Sequence, residues 1–384
     1  MPTQMTLGDA SARTRSAPHR VGVLIETVAG WTTYRQNLER TAQTVPDLAP
    51  HWHDITFYKP GGSIETLRER WLRFLPGRPA AIGRAVYEFH QGLREGPYDA
   101  LLTNSTVTTL FSRRLRAVPT VLVVDSTQQQ LDAMGEYGGP KPSYLREKVK
   151  LHLGRRVCDA AVLIVATSRW AKSGLVAEYG VPADKIVVNP HGVDLGFWRP
   201  GVGTSTSTRT VRRVLFVGGD FRRKGGELLL DWFRSRPGRD TELHVVTREN
   251  VERADGVVVH RDIQPNSPEL LRLYQQSDVF VLPSLAEAFG IATIEAMGCG
   301  LPTVVSDAGG TSDIVDQGVN GFITKAQDRF ALGSALERLL ADDDLRASMG
   351  EQSRRIAEER FDLDKTARVT LGLLADIAAS SHRR

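Results

Sequence analysis

With 384 residues, 41% hydrophobic, 24% charged, 35 Gly and 19 Pro, the chain has the make-up of a packed globular protein of two or three domains, which excludes wholesale disorder, collagen and low complexity. A net charge of +4 suits an anionic ligand or a membrane surface and is too slight to argue for nucleic acid. Cys158 and Cys299 cannot make a disulfide framework, read as reduced core residues and favour a reducing compartment.

Residues 1–20 are polar and basic and lack the apolar stretch of a signal peptide. They are expected to be a flexible leader, and the protein to be cytoplasmic. No run reaches the roughly 18 apolar residues of a membrane span. The first strand is predicted at 21–25 (VGVLI) and a second at 55–58. Residues 67–93 carry helical patterns interrupted at Pro76 and Pro79. Near-continuous apolar runs follow at 100–103, 120–124 and 161–165, with helical segments between them. Strands buried on both faces look like this and imply a parallel sheet covered by helices. A further strand at 186–188 precedes Pro190, and 201–210 is Gly/Ser/Thr-rich, the best linker in the chain. The alternation then restarts. Strands are predicted at 214–217, 243–246, 257–259, 279–282 and 302–305. Helices are predicted at 227–233, after Ser267 and Pro268, at 290–298 and over most of the chain from Phe330. The fold class is therefore α/β, with two doubly wound, Rossmann-like domains over about 21–200 and 211–363, facing a central cleft. Such sheets place ligands at the carboxyl ends of their strands.

The segment after the 279–282 strand is the richest in chemistry. A loop carrying Ser284, Glu287 and Ala288 leads into a helix that begins near Gly290. The free N–H groups of Phe289, Gly290 and Ile291 would make an anion site suited to a phosphate. Glu287 and Glu295 flank it and suggest hydroxyl-binding groups for a sugar and a ribose. The same pattern is also compatible with a helix-dipole partner and a surface glutamate. The loop after the next strand holds Gly309 and Gly310, able to cradle an anion or simply to turn. The loop after the 214–217 strand holds Gly218, Gly219, Arg222, Arg223 and Lys224. Lys224 with either arginine can neutralise a diphosphate without a metal. It matches neither a Walker loop nor a dinucleotide fingerprint, which speaks against an oxidoreductase. All three loops end strands of one sheet and should open on one edge.

Glu287 and Glu295 stand eight apart, and this Glu-x7-Glu spacing resembles glycosyltransferase family 4. The stretch PSLAEAFGIATIEAMGCGLPTVVSDAGG (283–310) is similar to that family's donor site, FVGGDFRRKGGELLL (216–230) to its diphosphate loop, and ATSRWAKSGLVAEYGVPADKIVVNPHGVDLGFW (166–198) to its interdomain segment. The resemblance is clear over about 155–380 and architectural before that. It implies a GT-B fold, a C-terminal helix of about 364–384 packing back on the first domain, and a nucleotide-sugar donor, UDP-linked in preference to GDP-linked. It also implies transfer of a hexosyl group to a hydroxyl acceptor with retention, the leaving phosphate helping to deprotonate the acceptor, and no metal or other cofactor. By position, Glu287 would bind sugar hydroxyls, Glu295 the ribose, and Lys224 with a neighbouring arginine the diphosphate. The backbone of 289–291 would touch sugar and phosphate. Many relatives carry arginine where this chain has Gly219, so Arg222 or Arg223 is expected to substitute. Many carry histidine where this chain has Asp125 after the 120–124 strand, so Asp125 is expected on the catalytic face. The loop Glu26, Gly30, Trp31 would face the acceptor and is also altered. The acceptor is a glycan, a lipid or a small molecule. The alternatives are a phosphorylase on the same scaffold and a non-catalytic nucleotide-sugar or lipid-surface module.

Other patterns have plainer readings. His51 and His53 are expected as surface residues ahead of a strand. Asp342 and Asp362 are expected as helix caps, and His191 as part of a hinge turn. Basic residues at 141–156 and at 68–84, the latter near Trp71 and Phe74, form either solvated helix faces or a peripheral membrane contact.

Overall fold

The computed structural model describes residues 17–27, 30–57, 77–105, 111–135, 144–201, 211–236 and 240–381. The expected leader lies outside these residues up to 16, as do the linker from 202 and the segment 58–76 with Arg68, Arg70, Arg73, Trp71 and Phe74.

Two six-stranded parallel sheets form the core. The first holds β1 (His19–Glu26), β2 (Leu48–Ile55), β3 (Ala100–Thr103), β4 (Thr120–Val124), β5 (Leu163–Ala166) and β6 (Ile186–Val188), in the order β2-β1-β3-β4-β5-β6. The second holds β7 (Arg212–Val217), β8 (Thr241–Val246), β9 (Val257–His260), β10 (Val279–Leu282), β11 (Thr303–Ser306) and β12 (Gly321–Thr324), in the order β12-β11-β10-β7-β8-β9. β3, β10 and β11 are buried at every residue, as helix-covered parallel strands require. In each sheet the strand order reverses beside its first strand, between β1 and β3 and between β7 and β10. At these switch points the loops diverge and leave a crevice.

The second strand runs over Leu48–Ile55 and ends where it was expected to begin, pairing with β1 from His19↔Leu48 to Glu26↔Ile55. Its polar residues and Pro50 hid it, and both are tolerated because β2 is an edge strand. His51 and His53 therefore lie within this strand. They are turned towards Tyr98, with His53 Nε2 3.2 Å from its hydroxyl. The four-residue β12 was not foreseen. In the basic segment, Arg84 is buried and bonded to Glu88 at 3.1 Å, so it is not part of a solvated face. Asp342 and Asp362 do cap helices, accepting from Leu345 N and Lys365 N.

The domains are cross-linked by exchange of elements. Residues 193–198 leave the first domain and bury Val193, Leu195 and Trp198 in the core of the second. The helix Leu363–Ser381 returns and buries Ala367, Leu371, Leu374 and Ala378 against Val21, Val23 and Leu38 of the first. Where the two crossings meet they pair, Val193 N donating to Phe361 O at 2.9 Å and Leu363 N to Val193 O at 3.1 Å.

Candidate active site

The loops after β7 and β10 meet over the switch point of the second sheet. Gly225, at φ 76°, caps the helix Gly226–Ser235. A Cβ there would overlap Pro283 O, so only glycine lets the two loops close up. Arg223 seals the junction: its Nη1 donates to Ala286 O at 2.9 Å, its Nε to Asp220 at 3.0 Å, and its carbonyl accepts from Leu285 N at 2.8 Å. Of the two candidate arginines, Arg223 thus braces the loops, while Arg222 is exposed beside Lys224. Lys224 lies over Gly218, where a Cβ would meet its Cδ at 2.6 Å. Its Nζ reaches Glu287 Oε2 at 2.5 Å, both side chains being largely buried. Gly219 has open space around it.

Gly290, at φ 103°, is the N-cap of the helix Ile291–Gly298 and offers no capping side chain. Thr293 N turns back to Gly290 O at 2.9 Å. The N–H groups of Ile291 and Ala292 have no intrahelical acceptor. An uncapped, positively polarised helix start therefore stands next to Lys224 and Glu287. One turn on, Glu295 is buried and accepts from Tyr274 OH at 2.9 Å. Burial pushes its carboxyl up to about 7, against the pull of Tyr274 and the Lys224 charge. Ser284 is wholly buried beneath the loop, not on the cleft surface. Of the two readings of the Gly309–Gly310 pair, the turn fits: Gly310 N donates to Glu287 O at 3.2 Å, and a Cβ on Gly309 would overlap that same oxygen, so the pair packs against the donor-loop backbone.

The first domain meets this site through Gly30, where a Cβ would lie 2.7 Å from Ile291 Cδ1. Beside it, Trp31, Tyr34 and Phe289 each set a ring about the His191 imidazole at 5.1 Å. Sequence reasoning placed His191 in a hinge turn and missed that it touches the donor loop. Burial pushes its pKa down to about 4. Next to Trp31, Glu26 accepts from Ser105 Oγ at 2.7 Å, and Asp125 accepts from Ser126 Oγ at 2.9 Å. Burial raises the Asp125 carboxyl, the nearby Glu26 charge adds to this, and bonds from Ser126 and Trp31 oppose it. Among the described residues no three His, Cys, Asp or Glu side chains are grouped to hold a metal, and no helix is long and apolar enough to cross a membrane.

Comparison with known proteins fits this geometry. The family model described as "Glycosyl transferases group 1" matches residues 205–356, and that for "Glycosyltransferase Family 4" matches 40–197. D-inositol 3-phosphate glycosyltransferase of Paenarthrobacter aurescens is 31% identical over 301 residues, 72% of each chain. The chain belongs to the group 1, family 4-like glycosyltransferases.

The enzyme of the same description from Xylanimonas cellulosilytica is 29% identical over 82% of this glycosyltransferase and 80% of its own length. Sucrose-phosphate synthase from Thermosynechococcus elongatus superposes with a TM-score of 0.73 at 20% identity, over 94% of this chain and all of that one. Anabaena HepE, solved in complex with UDP-glucose, superposes at 0.69 and 19% identity, over 93% and 100%. These likenesses show the GT-B fold of this glycosyltransferase, two Rossmann-like domains about a cleft.

Proposed function

We propose that this glycosyltransferase moves a hexosyl group from a UDP-sugar to a hydroxyl acceptor, with retention and without a metal. The observation that carries the reading is the junction of Lys224, Glu287 and the uncapped helix start at Gly290, built from the loops on either side of the sheet's switch point. A diphosphate laid there meets a lysine, the exposed Arg222 and free N–H groups, which together do the charge work a divalent ion does elsewhere. Glu287, released from Lys224 by the incoming phosphates, accepts from sugar hydroxyls. Glu295 accepts from the ribose. HepE was solved with UDP-glucose, which supports the choice of a uridine nucleotide.

As the bond from the anomeric carbon to the diphosphate breaks, its electron pair leaves with the phosphate. Lys224, Arg222 and the helix start stabilise that charge where it develops. The acceptor oxygen bonds to the same face of the anomeric carbon, and its proton passes to the departing phosphate oxygen. Asp125 and Glu26 line the acceptor side, and closure of the cleft keeps water from the donor. Glu287→Ala should lower transfer from the UDP-sugar about a hundredfold or more, with an unchanged circular dichroism spectrum. Full turnover by that variant contradicts the site.

A further inference from the structure

The first domain carries a cavity at its own switch point. It has a volume of about 270 Å³ and is lined by Glu26, Asn104 and Asp125 at the carboxyl ends of β1, β3 and β4, and by Leu122, Leu131, Leu153, Val157 and Leu175 of β4 and the helices packed on it. Trp31, whose ring packs on His191 beside the donor loop, forms part of its wall. The mouth is polar. Asn104 Oδ1 accepts from Glu26 N at 2.8 Å, which leaves its Nδ2 buried and without a partner among the described residues. That donor, with two carboxylates, is ready to bind a hydroxyl. The helix side is mainly aliphatic, with Gln128, Cys158 and Tyr179 among the leucines and valines. Lys150 reaches the wall but is bonded to both oxygens of Asp132, at 2.8 and 3.2 Å.

An acceptor bearing a phosphate would bring its charge to two carboxylates and a neutralised lysine, and a fully hydroxylated ring would leave its hydroxyls unbonded against leucine and valine. We propose that this cavity is the acceptor site, and that it selects an alcohol with an apolar body: the reacting hydroxyl lies at Glu26, Asn104 and Asp125, and a ring or short chain fills the space below. This rests on the transferase reading above and names its acceptor class. The acceptor then differs in kind from the inositol 3-phosphate named for the relatives. The volume lies near the lower bound of small-molecule sites, which limits the buried part to one ring or a short chain.

Calorimetry on the full chain tests this, with n-octyl β-D-glucoside below its micelle concentration, 4-nitrophenyl β-D-glucoside, methyl β-D-glucoside and myo-inositol 1-phosphate as probes. The octyl or the nitrophenyl glucoside should bind at least tenfold tighter than the methyl glucoside, the better of the two telling chain from ring. Leu131→Trp, which fills the cavity, should weaken the better probe at least tenfold and leave UDP binding unchanged. Leu153→Trp, from a different helix, repeats the test should the first variant fail to fold. Equal affinity for all the glucosides overturns the proposal. So does tightest binding of the inositol phosphate, or a folded tryptophan variant that binds like the wild type. UDP binding measured in parallel keeps this failure apart from failure of the donor-site reading.

Discussion

His191 shows how much a single side chain can tie together. Its neighbours come from residues 31, 34 and 289, so no local pattern marks it out. The one signal is its place in the Asn-Pro-His-Gly-Val-Asp turn between the domains. Lys224 and Glu287 were legible because each follows an apolar strand at a helix start, where the chemistry of free N–H groups is local. Their pairing was not, since it depends on two loops 63 residues apart. The low pKa of His191, about 4 against 6.5, has a signed consequence. The unfolded chain takes up the proton as pH falls below about 6.5, and the folded one only near 4, so stability drops through that window. His244 and His260, also held down by burial, add to the same fall. His191→Phe should therefore flatten the loss of unfolding free energy between pH 6.5 and 4 by about 2 kcal/mol. Urea titrations at the two pH values measure it. An unaltered slope would mean that His191 titrates as a solvated residue.

At the level of elements, the strands with continuous apolar runs were readable from sequence, and those that disagree have physical reasons. β2 is an edge strand, with one side free of a partner, so it tolerates Pro50 and alternating polar residues. β12 reads Gly-Phe-Ile-Thr, two apolar residues between glycine and threonine, and so shows no continuous apolar run. The final helix, Leu363–Ser381, is built into the core of the first domain. Ala367, Leu371, Leu374 and Ala378 complete a core that β1, β3 and β4 leave open. Leu371→Ala should cost about 2–5 kcal/mol. It should shift the denaturation midpoint of the first domain, followed by the fluorescence of Trp31 and Trp52. A shift below about 0.5 kcal/mol would mean that the helix only rests on that domain.

Across the whole molecule, the two crossings between the domains pair at Val193 and Asp362, and contacts on either side of the pairing join the domains. Arg169 Nε and Trp170 N both donate to Asp313 of the second domain at 2.9 Å, placing a carboxylate at the start of the helix Arg169–Tyr179. Arg40 pairs with Asp194 at 2.5 Å beside the crossing. Asp313→Ala removes both bonds of the first clasp. Small-angle scattering should then give a larger radius of gyration than the wild type, and an equal radius would show that the clasp does not hold the cleft. Two α/β domains and a cleft were legible because the apolar runs repeat on both sides of 201–210. The angle between the domains was not, because it is set by side chains far apart in sequence.

The proposed diphosphate site, made by Lys224 and the Gly290 helix start, needs no metal ion. Calorimetric binding of UDP, with GDP and ADP alongside, in the presence of a chelator, to the wild type and to Lys224→Ala distinguishes it from a metal-dependent site. The site described here predicts micromolar binding of UDP in preference to the other two, and a loss of at least tenfold in the variant. Binding that needs a divalent ion, or that is equal in Lys224→Ala, would contradict it.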